Sequence, residues 1–309
     1  MVPEEATGAT LASDALEKNA AADTQWYDDF IPARGYRLRL QSIKAVYREF
    51  QKLTDAEGTR ILNDMPKNEG ETDEELAARK NSIKENAFRV TVSIIGSDGE
   101  STYGEFESIF DSDSIPNQVK AIYFTNITAF RRNANGTDPL NQFTVTLSFE
   151  KPPLFDPQTP VSHATPNNSH VEIRAHDNGY FRAARNIVDS KLKADRMWHA
   201  PLHGKGIYDA GLWFVALPLS LYFATIYMDY FFPPDGTYSS FRIPFYVYVV
   251  GLGLVLYRIL TGYFKWAFPV NVLEENRDSA TKHRVLLGAI VVGIIVSTVN
   301  SLVERLPWF

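Results

Sequence analysis

The sequence predicts an α+β fold, an antiparallel sheet with packed helices in the cytosol, followed by three transmembrane helices. Three observations carry this. Apolar and polar residues alternate at Phe88–Ile94 and Phe143–Phe149, the period of a half-buried strand. Tyr36, Leu40, Ile43, Tyr47 and Phe50 recur at three- and four-residue intervals, the spacing of an amphipathic helix. Residues 209–309 hold only 7 basic and 7 acidic side chains, separated by long uncharged runs.

Taken in order, residues 1–33 contain seven acids and one lysine, which accounts for the net charge of −6. This segment has no apolar stripe and is expected to be disordered. Residues 34–200 read as the cytosolic α+β domain, helical at its start. Thr72 with Glu75 three residues later fits a capping box, opening a helix to about Glu85. Strands are expected at Phe88–Ile94, Ser101–Ile109, Val119–Phe130 and Phe143–Phe149, with turns at Asp98-Gly99 and Asn133–Gly136. The polar alternate face of these strands argues for a sheet covered on one side. Segment 151–169 has five prolines and cannot be a helix or a central strand. It reads as a packed loop anchored by Leu154, Phe155 and Val161. A short strand at Val171 and Ile173 and a helix from Tyr180 to Trp198 close the domain.

Residues 201–309 form the expected membrane domain, with spans at about 211–232, 243–264 and 285–303. About 20 apolar residues cross a bilayer core. Basic residues cluster before the first span (Lys191, Lys193, Arg196, Lys205) and after the second (Lys265, Arg277, Lys282, Arg284), whereas the first loop holds only Arg242. By the positive-inside rule the N-terminal domain is cytosolic and the C-terminus lies on the opposite side. The first 30 residues show no charged-then-apolar leader pattern, which agrees.

Four features are candidates for interaction. Arg182, Arg185, Lys191, Lys193 and Arg196, in a stretch that approaches the membrane, are placed to meet anionic lipid headgroups. Ala216, Ser220 and Ala224 in the first span form a four-residue stripe of small side chains suited to close helix packing, within the chain or in a homo-oligomer. Ala289, Gly293 and Ser297 do the same in the third. Arg258 sits inside the second span, where it either snorkels to the interface or pairs with Asp209.

The chemistry that is missing narrows the function. With no cysteine, a thiol nucleophile, a disulfide scaffold and a Cys-ligated metal are excluded. No phosphate loop follows a strand, no zinc-protease helix motif occurs, and no nucleophile elbow is present. His163, His170 and His176 lack a nearby fixed acid, so neither a metal nor a cofactor is assigned. The near balance of charge, 31 basic against 37 acidic, argues against nucleic acid as a partner. In architecture alone the chain resembles bacterial proteins that tether a cytosolic domain by a few helices, which implies a plasma-membrane location. The leading expectation is a membrane-anchored sensing, binding or scaffolding protein for a small-molecule or protein ligand. The alternatives are a ligand-triggered effector that oligomerises or perturbs the bilayer, and a membrane-associated enzyme of unrecognised chemistry.

Overall fold

The computed structural model describes residues 26–153, 161–192 and 196–305, which fall into two compact units. The first unit takes residues up to 150, then 167–197 and 271–277; the second takes 151–166, 198–270 and 278 onward. Both units are discontinuous along the chain. The proline-rich residues 151–166 go with the second unit, and the segment after the second apolar helix returns to the first.

In the first unit, strands β1 (Tyr27–Pro32), β3 (Thr91–Gly96), β4 (Ser101–Gly104), β5 (Val119–Thr125), β6 (Asn141–Ser148) and β7 (His170–Ala175) form one sheet in the order β1-β7-β6-β5-β3-β4. Every pairing is antiparallel. Along β6, Phe143, Val145 and Leu147 are buried, while Gln142, Thr144, Thr146 and Ser148 are half-exposed on the other face. Helices α1 (Leu40–Asn63) and α4 (Asn178–Ile187) cover the apolar face. Ile43, Val46, Tyr47 and Phe50 of α1, with Tyr180 and Ala184 of α4, close the core over Ile94, Ile122, Phe124, Phe143 and Ile173. Phe50 stacks on Phe143 with ring centroids 4.1 Å apart.

Three expectations are corrected. Tyr27–Pro32 lies in the segment expected to be disordered, yet it is an edge strand with Tyr27 opposite Ala175 and Pro32 opposite His170. Three apolar side chains, Tyr27, Phe30 and Ile31, are hidden among the acids of that stretch, and the pairing partner lies about 140 residues away in sequence, which local composition does not reveal. The first helix starts at Leu40 and not at Tyr36. Arg37–Leu38 instead form a two-residue strand, β2, parallel to β8 (Val272–Leu273). The run Val119–Phe130 is a strand only to Thr125. There Asn126 turns the chain by donating to the Asn141 carbonyl (2.9 Å) and accepting from Phe143 N (3.0 Å). The rest forms α3 (Ile127–Asn133), whose Phe130 joins a second cluster with Leu62, Met65 and Phe88.

Helix α2 (Asp73–Ala87) opens with the expected capping box: Thr72 Oγ accepts from Glu75 N (3.2 Å) while the Glu75 carboxylate accepts from Thr72 N (2.8 Å). Gly58 in α1 is needed for packing. A Cβ there would lie 2.6 Å from the Phe88 ring. Gly58→Ala gains about 1 kcal/mol of helix propensity but forces that ring to move, at about 1–3 kcal/mol. A net loss of stability is expected in urea unfolding of the full chain.

The second unit contains two helical stretches long and apolar enough to cross a membrane, Lys205–Phe231 and Ser239–Ala267. The first comprises α5 (Lys205–Gly211), a π turn at Leu212–Ala216 and α6 (Leu217–Phe231); the second carries α7 (Arg242–Ala267). The expected count of three is thus two among the described residues. The third expected span falls on α8 (Thr281–Arg305). Its first turn carries Lys282 and Arg284, and the side chains at 291, 294, 295 and 297–305 lie outside the described residues.

Helices α6 and α7 pack side by side. Ser220 sits against Gly253, where a Cβ would overlap its hydroxyl, and Tyr257 Oη donates to the Tyr208 carbonyl (2.9 Å). At the hairpin turn Arg242 pairs with Asp229 (2.6 Å) and donates to the Phe232 carbonyl. At the other end Lys265 is buried and donates to the carbonyls of Val161 (2.7 Å) and His163 (2.8 Å). His203 bonds the Phe268 carbonyl through Nε2 (2.7 Å), which fixes that nitrogen as the donor, and meets the Thr165 hydroxyl through Nδ1 (2.9 Å). These bonds hold the end of the proline-rich segment; the expected anchors Leu154 and Phe155 lie outside the described residues. The hairpin's outward surface is apolar: Phe214, Tyr230 and Ile243 are each more than three-quarters exposed.

Candidate functional site

A groove of about 500 Å³ opens in the first unit between α1, the last turns of α2 and residues 105–107. Helical spacing on α1 brings Arg48, Gln51, Lys52 and Asp55 to one wall, because residues three and four apart share a face. Asn81, Lys84 and Glu85 of α2 form the other, and Arg89 and Phe106 close the end. Tyr47 lies at the floor, its hydroxyl donating toward the carbonyls of Val90 (3.3 Å) and Glu105 (3.2 Å). Burial, with the nearby Glu107 charge adding to it, pushes this phenol up to about 12. It therefore remains a proton donor throughout the physiological range.

The charges in the groove divide into committed and open ones. Glu107 is held by Arg48 in a two-point contact (Nε to Oε2, 2.9 Å) and by Lys44 (3.2 Å). The Arg48 hydrogen bond, reinforced by that from Lys44, brings the Glu107 carboxyl down to about 2. Glu105 is paired with Arg132 and accepts from the Tyr103 hydroxyl (3.1 Å). Gln51 ties the floor together: its amide oxygen accepts from Val90 N (2.9 Å), and its amide nitrogen donates to Asp55 (2.9 Å) and the Phe88 carbonyl (3.2 Å). Arg89 donates from Nε to the Glu85 carbonyl, and its guanidinium lies 4.4 Å from the centre of the Phe106 ring. Lys84 and the Glu85 carboxylate have no side-chain partner among the described residues.

The Glu107 pairing has a consequence for acid stability. A carboxyl that titrates lower in the folded state contributes stability that is complete above about pH 4.5 and is lost as pH falls toward about 2. In acid titration of the full chain, Glu107→Gln is expected to lower stability at pH 7, where the pairing contributes fully, and to lose less further stability than wild type between about pH 4.5 and about 2. An identical acid profile in the variant counts against the pairing.

The residues singled out from sequence are distributed as follows. Arg182, Arg185, Lys191 and Arg196 are exposed, and Lys193 lies outside the described residues. Arg185 is engaged with Asp29 (3.1 Å) and lies near Asp189 (3.9 Å). Ala216, Ser220 and Ala224 are buried in the second unit. Ala289 and Gly293 are exposed on α8, and the side chain of Ser297 lies outside the described residues. Asp209 and Arg258 are both exposed, and no ion pair joins them. Successive helical residues point about 100° apart. The seam position at that level goes to Tyr257, whose hydroxyl bonds the first stretch, and this turns Arg258 outward.

Sequence reasoning missed the groove. Its residues are spread over three elements, and the only available signal was the polar stripe of α1 beside its apolar one. It also missed Asn271, which is buried and fully bonded (to Tyr36, Ala33 and Ser169). Among the described residues no group of three or more His, Asp or Glu side chains is placed to hold a metal ion. No protein-family model matches the sequence, and no curated protein or solved structure is similar to it.

Proposed function

We propose that the chain is a membrane-anchored binding protein. Its α+β unit faces the cytosol and takes a ligand in the groove between α1 and α2, and its apolar helices hold it in the bilayer. One observation carries the reading. The chain leaves the first unit at Met197, runs through both apolar helices, and rejoins that unit at Asn271. A chain that leaves and rejoins the same folded unit supports a hairpin of two crossings with both ends on one side of a bilayer. The charge pattern supports the same arrangement, since Arg242, the sole cation of the turn between the helices, is neutralised by Asp229. The outward aromatic and aliphatic side chains of the hairpin, costly in water, are at home in lipid. In this reading α8 makes a third crossing, and the exposed basic residues Arg182, Lys191 and Arg196 meet anionic headgroups of the plasma membrane.

Two measurements on the full chain test this. Alkaline carbonate washing leaves the protein in the membrane pellet; release into the supernatant overturns the anchor. Hydrogen exchange of the protein in nanodiscs slows at 84–89 and 105–107 when a metabolite extract is added; unchanged exchange there overturns the groove as the binding site. A second reading, a ligand-triggered oligomer, is favoured by one feature: Ala289 and Gly293 lie exposed on α8, with nothing within 4 Å of a Cβ at Gly293. Gly293→Leu then abolishes depolarisation on overexpression, and a wild-type protein that never depolarises cells excludes it.

A further inference from the structure

The groove is occupied by side chains whose bonding is unequal, and the inequality specifies a ligand. Its innermost carboxylates, Glu105 and Glu107, are already held by Arg132, Arg48 and Lys44. The two helical walls and the end of the groove hold donors with capacity to spare. Lys84 has no side-chain partner among the described residues, Lys52 has only the surface contact to Glu49 (3.0 Å), and Arg89 spends Nε on a carbonyl and keeps its two terminal nitrogens open. Arg89 also cancels the partial negative charge at the C-terminal end of α2, which would otherwise repel an anion. Beside these cations, Phe106 is 60 % exposed even though the Arg89 guanidinium lies over its ring, which leaves aromatic surface for a flat ring to contact. Asp55 and Glu85 add acceptor oxygens suited to hydroxyl groups.

From this we infer that the groove binds a nucleoside monophosphate. The base stacks on the exposed surface of Phe106, the phosphate is held by Lys84 and Lys52 with the terminal nitrogens of Arg89, and the sugar hydroxyls donate to Asp55 and Glu85. Aromatic and guanidinium planes are the usual platforms for a single base. A volume of about 500 Å³ falls in the range of small-molecule sites. A bare phosphate leaves the aromatic surface empty, and a nucleoside leaves the lysines unpaired, so each part alone binds weakly.

This inference rests on the groove being the binding site, and the experiment separates the two. Full-length protein in nanodiscs is titrated with adenosine, guanosine, cytidine and uridine monophosphates, with adenosine, and with inorganic phosphate, by calorimetry and by hydrogen exchange. At least one nucleotide is expected to bind ten-fold or more tightly than adenosine or phosphate and to protect 84–89 and 105–107. Lys84→Gln, at a half-buried position, and Phe106→Ser, at an exposed one, each weaken it ten-fold or more while the melting temperature is kept. Protection of the same segments by spermine or by an acidic peptide, with no nucleotide binding, overturns the ligand class and leaves the groove as a site. Binding that neither variant changes overturns the placement, and an absence of binding by every probe overturns both.

Discussion

Asn271→Leu is expected to destabilise the first unit by about 1–3 kcal/mol, the cost of leaving buried Tyr36 N without a partner, while Ser169 Oγ keeps Ser148 and the Ala33 carbonyl keeps Asn167. Asn271 is 2 % exposed; its Oδ1 accepts from Tyr36 N (3.0 Å), and its Nδ2 donates to the Ala33 carbonyl (2.8 Å) and Ser169 Oγ (2.9 Å). Leucine has nearly the same volume but can neither accept nor donate, so all three groups lose that bond at once. The side chain also fixes β8 beside β2, where Val272 N and Glu274 N donate to the carbonyls of Tyr36 and Leu38 (3.0 and 2.9 Å). Asn276 extends the same attachment, accepting from Val119 N (2.8 Å) and donating to its carbonyl (2.7 Å). Thermal unfolding of the full chain in detergent reads the loss. A melting temperature within a degree of wild type means the returning segment is not integral to the unit.

Gly253→Leu is the second large effect, expected to cost about 1–3 kcal/mol or more of hairpin stability, the usual range for overpacking. At Gly253 a Cβ would overlap Ser220 Oγ, and the Ser220 hydroxyl is itself bonded to the Ala216 carbonyl (2.6 Å). The displaced atoms belong to a helix and cannot swing aside as the end of a long side chain would. In lipid, where apolar burial gives helices little reason to associate, such close contact is a main source of cohesion. Gly251, two residues earlier, has nothing within 4 Å of a Cβ. Gly251→Leu is therefore the control that leaves the hairpin intact. Protease digestion of nanodisc-embedded protein should cleave the Gly253→Leu hairpin faster than either wild type or the control.

Sequence patterning revealed elements whose signals are local. The alternation at Phe143–Phe149 identified β6 because one face of that strand is buried and the other is not, and the capping box at Thr72 marked the start of α2 within a residue. The small-residue stripe at Ala216, Ser220 and Ala224 could be read because it repeats at helical spacing, although which surface it meets is a property of α7. Long-range pairing was not legible. Tyr27–Pro32 is a strand only because β7 lies beside it, and Val272–Leu273 is two residues long with no period to detect. The groove stayed hidden for a related reason. Its character depends on which carboxylates are already paired, and a sequence shows Glu105 and Glu107 as charges without showing Arg132 and Arg48 bound to them.

The chain contains no cysteine, so single cysteines report sidedness without background. Ser97→Cys lies at an exposed turn of the first unit and Asp235→Cys in the exposed turn between the two apolar stretches. With a membrane-impermeant maleimide, intact cells should label Asp235→Cys and spare Ser97→Cys, which reacts only after permeabilisation. Equal labelling of both positions in intact cells would contradict a hairpin that crosses the bilayer from a cytosolic unit.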